Sequence, residues 1–519
     1  MNAVITSAQR DWNPAQWQAS VAAAAALLQD GGTRVLATVM DNTAAFLALD
    51  EAALQLGLVH VPLPLFFSPE QTQHALTAAG VDTLCVPPAL ATGWPGLDWA
   101  PAVVADEPLC MAGLSAGPQK GSAEAAAPCQ PGTVKVTFTS GTTGTPKGVC
   151  LSAQNLEAVV AGLVQAMAPL GITRHLSALP YAVLLENVAG AMAARRQGAT
   201  VVSLPLADVG LVGSSEFHPE RLDAAVRRSQ PESLILLPQM LKAWCAYLLA
   251  AGQMAPPSLK FVAVGGAPVG RHWLERARRL GIPAYEGYGL SEGASVQTLN
   301  LPGACRDGSV GRVLPQREVR VAADGEIEVR GSLFLGYLGQ PPLGQGPTGT
   351  GWWPTGDIGQ LDADGYLTIQ GRKKHVLITG FGRNVSPEWV ETALQQEPVL
   401  PQVVVVGDGE ARLGAVVWAP LAAGGPAQRR ALRAQIQAAV DRVNATLPDY
   451  ARVTRWVQAD PALRSGFFTP NGRPLRPRIE SFFRALHARS PVGCEAATDT
   501  PTGTPADTET QHPPTKATP

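Results

Sequence analysis

Apolar positions along the chain follow two alternating patterns. Short runs rich in Val, Ile and Leu, "TRVLATVM" at 33–40, "VKVTFT" at 134–139, "ATVVSLPL" at 199–206, "SLILLP" at 233–238 and "LKFVAVGG" at 259–266, read as buried strands. Helical periods such as "AQNLEAVVAGLVQAM" at 153–167 separate them, with Ser152 placed as an N-cap. This alternation predicts an α/β fold in which helices cover mostly parallel sheets. From about residue 318 the texture changes. "REVRVAADGEIEVRG" and "QLDADGYLTIQGR" join alternating runs through Asp-Gly turns, which predicts antiparallel hairpins and a β-rich subdomain. After Arg372, strand, helix and strand signals recur in a compact set, predicting a small α+β domain. The expected division is 1–370 for a large N-terminal region, 371–375 for a joint, 376–494 for the small domain, and 495–519 for a Thr- and Pro-rich tail too polar to order itself.

A chain of 519 residues supports several domains, at least one with a sizeable core. Its 40 Lys and Arg against 42 Asp and Glu leave a net charge of -2, so no global field favours nucleic acid or an anionic membrane surface. The run "VAAAAALL" at 21–28 is too short to span a bilayer and the first residues lack a secretory pattern, which predicts a soluble cytoplasmic protein with no integral membrane segment. Seven scattered cysteines, with no Cys-x-x-Cys pair, predict neither a disulfide framework nor a zinc site.

The stretch "TSGTTGTPKGV" at 139–149 carries the first candidate chemistry. Glycines let a backbone approach an anion, hydroxyls add neutral donors, and a lysine adds charge, so the stretch reads as a phosphate-wrapping loop between a strand and the helix at 153. It is not a Walker A loop, because Thr145 and Pro146 separate Gly144 from Lys147.

The same stretch resembles the phosphate loop of adenylate-forming enzymes, the superfamily of acyl-CoA synthetases, luciferases and peptide-synthetase adenylation domains. Further matches follow in that family's order: "GGAP" at 265–268, "YGLSE" at 288–292, "GSVGR" at 308–312, "GEIEVRG" at 325–331, "TGD" at 355–357 and "GRKK" at 371–374. The resemblance covers all but the tail. It implies activation of a carboxylic acid by ATP to an acyl-adenylate, with pyrophosphate released, and then transfer to a thiol, most simply that of CoA. By resemblance, Thr139, Ser140, Gly141, Thr142, Thr143, Gly144 and Lys147 cradle the β- and γ-phosphates. Gly265, Gly266, Ala267 and Gly289 belong to the nucleotide-binding motifs. Tyr288 packs on adenine, Ser291 touches the α-phosphate, and Glu292 holds Mg2+. Asp357 and Arg372 bind the ribose hydroxyls. Lys374 is the hinge about which the small domain rotates, and Gly380 and Gly382 approach the pantetheine thiol.

Three positions depart from the family pattern. Arg473, in "TPNGRPLR", stands where a catalytic lysine is usual, Val183 stands where a histidine or aromatic residue is common, and His375 follows the hinge in place of an acid. The acyl site inferred by resemblance, including Val183, Leu184, Leu185, Pro238, Met240, Val264 and Ala267, is aliphatic, with no charge to bind an amino group or a second carboxylate. With Glu186 and Asn187 beside it, this looks most like the medium- to long-chain fatty acyl branch. Two alternatives stay open: a ligase that loads an acyl carrier protein or another acceptor, and a non-catalytic nucleotide or acyl binder.

Overall fold

The computed structural model describes residues 3–114, 129–139, 146–213, 216–344, 351–380, 383–419, 425–468 and 474–489. Among these residues two large sheets dominate. In the eight-stranded sheet, Val35–Val39 lies parallel to Val59–Leu63 and Thr83–Val86, and Thr133–Thr139 and Lys147–Ser152 extend one side. In the nine-stranded sheet, Arg174–Ser177, Thr200–Ser203, Ser233–Leu236, Phe261–Val264 and the start of Ala284–Leu290 run parallel. Each of the five apolar runs is thus a strand. They are buried on both faces, as continuous Val/Ile/Leu runs require.

Local signals set the ends of the elements. Ser152 caps the helix Ala153–Met167 by accepting from the Asn155 amide at 3.1 Å, while Asn155 Oδ1 accepts from the Ser152 amide at 2.9 Å. The Asp-Gly turns also hold. Glu318–Val321 pairs with Glu326–Arg330, and Trp353–Leu361 with Leu367–Arg372, in one four-stranded antiparallel sheet. Gly325 and Gly365 supply the positive φ, +84° and +80°, that these turns need.

One local expectation is corrected. The segment after Pro146 does not lead straight into the helix. Lys147–Ser152 is a strand paired antiparallel to Thr133–Thr139, with Thr139 opposite Lys147. Val149, Cys150 and Leu151 are wholly buried, and that apolar run is satisfied as a second strand. The glycine-rich stretch therefore joins the two strands of a hairpin instead of feeding a helix N-terminus.

Beyond Arg372 a short turn, Lys373–His375, leads to a core of its own. Leu377, Val390, Val405, Ala415, Val440 and Trp456 pack there around the three-stranded sheet Val403–Val406, Leu413–Val417 and Val453–Gln458. The molecule is a mixed α/β protein with a large N-terminal and a smaller C-terminal domain. No helix among the described residues is long and apolar enough to cross a membrane. No disulfide links the six described cysteines.

Candidate active site

A cavity of about 310 Å³ opens between the two large sheets. One end reaches Thr139, Tyr288 and Ser291. Its walls are largely aliphatic and aromatic, with Val183, Leu185, Phe138 and Val264 among them. Three groups of side chains gather at or near that end.

The first group is built on facing strands. Asp357 lies directly opposite Arg372 in the antiparallel register, and Arg372 Nε sits 2.8 Å from Asp357 Oδ1. The Tyr288 hydroxyl donates to Asp357 Oδ2 at 2.6 Å, which engages the second oxygen. Burial raises the Asp357 pKa, while Arg372 and the Tyr288 hydroxyl oppose that rise. Burial and the neighbouring carboxylate push the Tyr288 phenol well above its ordinary value. Tyr288, Asp357 and Arg372, separated by 69 and 15 residues in sequence, thus form one unit at the cavity mouth.

The second group centres on Tyr337, a residue that sequence reasoning missed. Strand Gly336–Tyr337 adds to the edge of Lys147–Ser152, with Tyr337 opposite Val149. From there its hydroxyl donates to Glu292 Oε1 at 2.7 Å, and its ring lies 5.7 Å from Lys147 Nζ. Phe334 and Trp353 hold that ring edge-on. Lys147 and Glu292, 145 residues apart, are brought together by this tyrosine. The signal in the sequence was only an aromatic in "FLGYLG". Glu292 Oε2 has no protein partner among the described residues, which leaves a carboxylate oxygen for a cation. Among the described residues no cluster of three or more metal-ligating side chains occurs, so such a cation would take its remaining ligands from phosphate and water.

The third group is the glycine-rich strand ends. The Gly265 amide donates to Leu236 O at 3.3 Å, and Gly266 takes a φ of +87° where the chain turns off the sheet toward Ala267. Glu286 ties this turn down by accepting from the Val269 amide at 3.0 Å. Burial pushes the Glu286 carboxyl up to about 7. At Gly289 a Cβ would come within 1.9 Å of Ser295 O, so glycine is demanded by the bulged pairing of its strand as well as by the cavity it lines.

Glu186, expected at the acyl site, is displaced from it. Its carboxylate is wholly buried, accepting from the Leu179 amide at 3.1 Å and bonded to His175 Nε2 at 3.0 Å. The π-helical stretch Leu185–Met192 turns Leu185 and Ala189 toward the cavity and Glu186 and Asn187 into the protein. Asn187 joins a second buried network, in which Lys135 Nζ contacts Asp50 at 2.7 and 2.9 Å and His60 Nδ1 contacts the same carboxylate at 2.5 Å.

At the joint, Lys374 lies exposed in the turn Lys373–His375. Lys373 reaches back to Asp324 and Glu326, both at 2.7 Å, and His375 Nδ1 reaches forward to Glu388 at 2.6 Å. Glu388 and Glu391 also hold Arg476. The departure at His375 therefore has a physical account: it is one member of a partly buried polar network that fastens the turn to the helix Pro387–Leu394. The Gly380 amide donates to Glu410 O at 2.8 Å, and a Cβ there would lie 3.2 Å from Gly409 O, so this glycine lets two loops touch. Ser140, Gly141, Thr142, Thr143, Gly144, Gly382, Arg473 and the tail from 495 lie outside the described residues.

The family model described as AMP-binding enzyme matches residues 2–338, and the AMP-binding enzyme C-terminal domain matches 374–484. A long-chain-fatty-acid–CoA ligase, FadD15 of Mycobacterium bovis, is 40% identical over 154 residues, 30% of this chain and 26% of that protein. A 2-succinylbenzoate–CoA ligase of Listeria innocua is 31% identical over 288 residues, 55% of this chain and 58% of the relative. The chain thus spans about a quarter to somewhat over half the length of these curated relatives. Among solved structures, the amide bond synthetase McbA from Marinactinospora thermotolerans superposes with a TM-score of 0.71 at 26% identity, covering 93% of this chain and 97% of that one. The o-succinylbenzoate CoA synthetase of Bacillus subtilis, solved with its acyl-adenylate, shares the fold at a TM-score of 0.71 and 21% identity, over 92% of this chain and 95% of that one. With the family model matched over well more than half of its length, the chain belongs to the AMP-binding enzyme family.

Proposed function

We propose that the protein is an AMP-forming acid–thiol ligase acting on an apolar carboxylic acid of fatty type, with ATP, Mg2+ and CoA. The observation that carries this reading is the junction of a largely apolar cavity with the Tyr288–Asp357–Arg372 unit and the Lys147–Tyr337–Glu292 cluster. An acyl chain in the cavity would present its carboxylate where the nucleotide-binding groups converge.

In the first half-reaction a carboxylate oxygen attacks the α-phosphorus, and the bond from that phosphorus to the bridging oxygen breaks, releasing pyrophosphate. In the second, the thiol loses its proton and its sulfur attacks the acyl carbonyl, and AMP leaves with the bonding pair. Neither step needs a side-chain nucleophile. The demands are orientation and compensation of negative charge. Lys147 supplies a cation at the phosphate loop, and Asp357 accepts from ribose hydroxyls once Tyr288 or Arg372 yields an oxygen. A magnesium ion on Glu292 Oε2 would add charge compensation for the phosphates. Tyr337 orients that carboxylate by bonding its other oxygen. Val183, Val264 and Leu185 bind the chain by excluding water. Rotation of the small domain about Lys374 between the two steps, bringing Gly380 and Gly382 toward the thiol, is part of the same reading.

The test is pyrophosphate release from magnesium-ATP over a panel of aliphatic and aryl acids, followed by acceptor scanning with CoA, a carrier protein and amines. The structural likeness to an amide bond synthetase makes an amine acceptor the second reading. Amide formation without thioester formation would favour it.

A further inference from the structure

The far end of the acyl cavity is polar. In the nine-stranded sheet, Leu237 and Gly265 follow the strands Ser233–Leu236 and Phe261–Val264 on the side of Tyr288, where Gly287 lies within Ala284–Leu290, while Ser233 and Phe261 begin their strands at the other end and His175 pairs beside Ser233. All six line the one cavity. Four residue steps separate Ser233 from Leu237. At ~3.3 Å each they give a slot roughly 13 Å long, which an extended chain of about eight to ten carbons would fill.

At its floor His175 and Ser233 are almost wholly buried, and His175 Nδ1 lies 2.9 Å from Ser233 Oγ. His175 Nε2 is bonded to Glu186, which is itself fixed by the Leu179 amide. Gly190 makes room for this chain, since a Cβ there would meet Glu186 Oε1 at 2.2 Å and His175 Nε2 at 2.9 Å. With the His175 ring neutral and its Nε2–H donated to Glu186, Nδ1 accepts from the Ser233 hydroxyl, and the Ser233 oxygen keeps lone pairs at the cavity floor. A methyl group seated there would bury those lone pairs without a partner. A hydroxyl would donate to them.

We propose that Ser233, held by His175 and Glu186, is a polar end-stop that selects acids of about ten carbons or fewer bearing a hydrogen-bond donor at the far end. This rests on the adenylation reading and narrows its substrate class. The end-stop also sets a length limit, because a longer chain would have to displace a buried, hydrogen-bonded floor.

The experiment compares 8-hydroxyoctanoate, octanoate and hexadecanoate by kcat/KM for pyrophosphate release, in the wild type and in Ser233→Ala. The hydroxy acid should exceed octanoate by about tenfold or more, hexadecanoate should be the poorest, and Ser233→Ala should erase the preference for the hydroxyl. Equal rates for the two eight-carbon acids, or hexadecanoate as the best substrate, would overturn the end-stop while leaving adenylation intact. Silence with every acid would instead defeat the adenylation reading. The end-stop is then read from the dissociation constants of the 8-hydroxyoctanoyl and octanoyl sulfamoyl-adenosines, where equal binding, or binding of neither, overturns it.

Discussion

Replacing Asp357 with alanine should damage both the fold and nucleotide binding, and the two losses can be measured apart. The Asp357 side chain is 6% exposed and answers two partners, the Tyr288 hydroxyl at 2.6 Å and Arg372 Nε at 2.8 Å. A hydrogen bond to a charged group contributes about 1.5–3 kcal/mol, and a buried donor left alone loses about that much. The Arg372 side chain is 44% exposed, so water screens its pair with Asp357 and the loss there is under about 1 kcal/mol. Most of the cost therefore falls on Tyr288, giving about 2–3 kcal/mol for Asp357→Ala without ligand. Asp357→Asn, which still accepts from the phenol, should lose about half of that or less. Chemical denaturation measures this part, and a double-mutant cycle with Tyr288→Phe should return a coupling of about 1–2 kcal/mol. Calorimetric ATP binding measures the other part, with at least about tenfold weakening expected, because ribose loses its acceptor. Unchanged stability and unchanged ATP affinity in Asp357→Ala would refute both roles.

Further outcomes follow from other residues. Glu286, whose carboxyl burial raises from 4.5 to about 7, keeps its proton when folded over a range in which the unfolded chain releases it. Its contribution is fully present below pH 4.5 and lost as pH rises through about 7, some 3 kcal/mol in all. Glu286→Gln should flatten that part of the stability–pH curve, as urea titrations between pH 4.5 and 8 would show. Tyr337→Phe keeps the ring against Phe334 and Trp353 but frees Glu292, so the magnesium concentration for half-maximal pyrophosphate release should rise about tenfold. A magnesium titration at fixed ATP decides it. Arg473→Ala should slow acyl-adenylate formation about a hundredfold while sparing the reaction of supplied acyl-adenylate with CoA. Equal losses in both half-reactions would assign Arg473 to the domain structure.

Much of this molecule is legible from local pattern. The buried strands announce themselves as Val/Ile/Leu runs, Asp324-Gly325 and Asp364-Gly365 mark their turns, and Ser152 marks its helix, because each signal lies within a few residues of its effect. Long-range pairing is not written locally. Nothing near "KGVCLS" says that it returns along Thr133–Thr139, nor does "FLGYLG" reveal that Tyr337 reaches Glu292. Glu186 departs from its expected place for the same reason. Its partners His175 and Leu179 lie on the preceding strand and loop, and only the π-helical turn decides that the carboxylate faces inward. Asp357 was legible as a candidate ligand through its motif, whereas its bond to Tyr288 needed two sheets to meet.

Product analysis in one reaction tests the central claim most directly. Purified protein, magnesium-ATP, CoA and a panel of aliphatic and aryl acids should yield pyrophosphate, AMP and one acyl-CoA in equal amounts, with pyrophosphate still formed once per active site when CoA is omitted. ADP and phosphate in place of AMP and pyrophosphate, or no acid-dependent pyrophosphate from folded protein that still binds ATP, would contradict it.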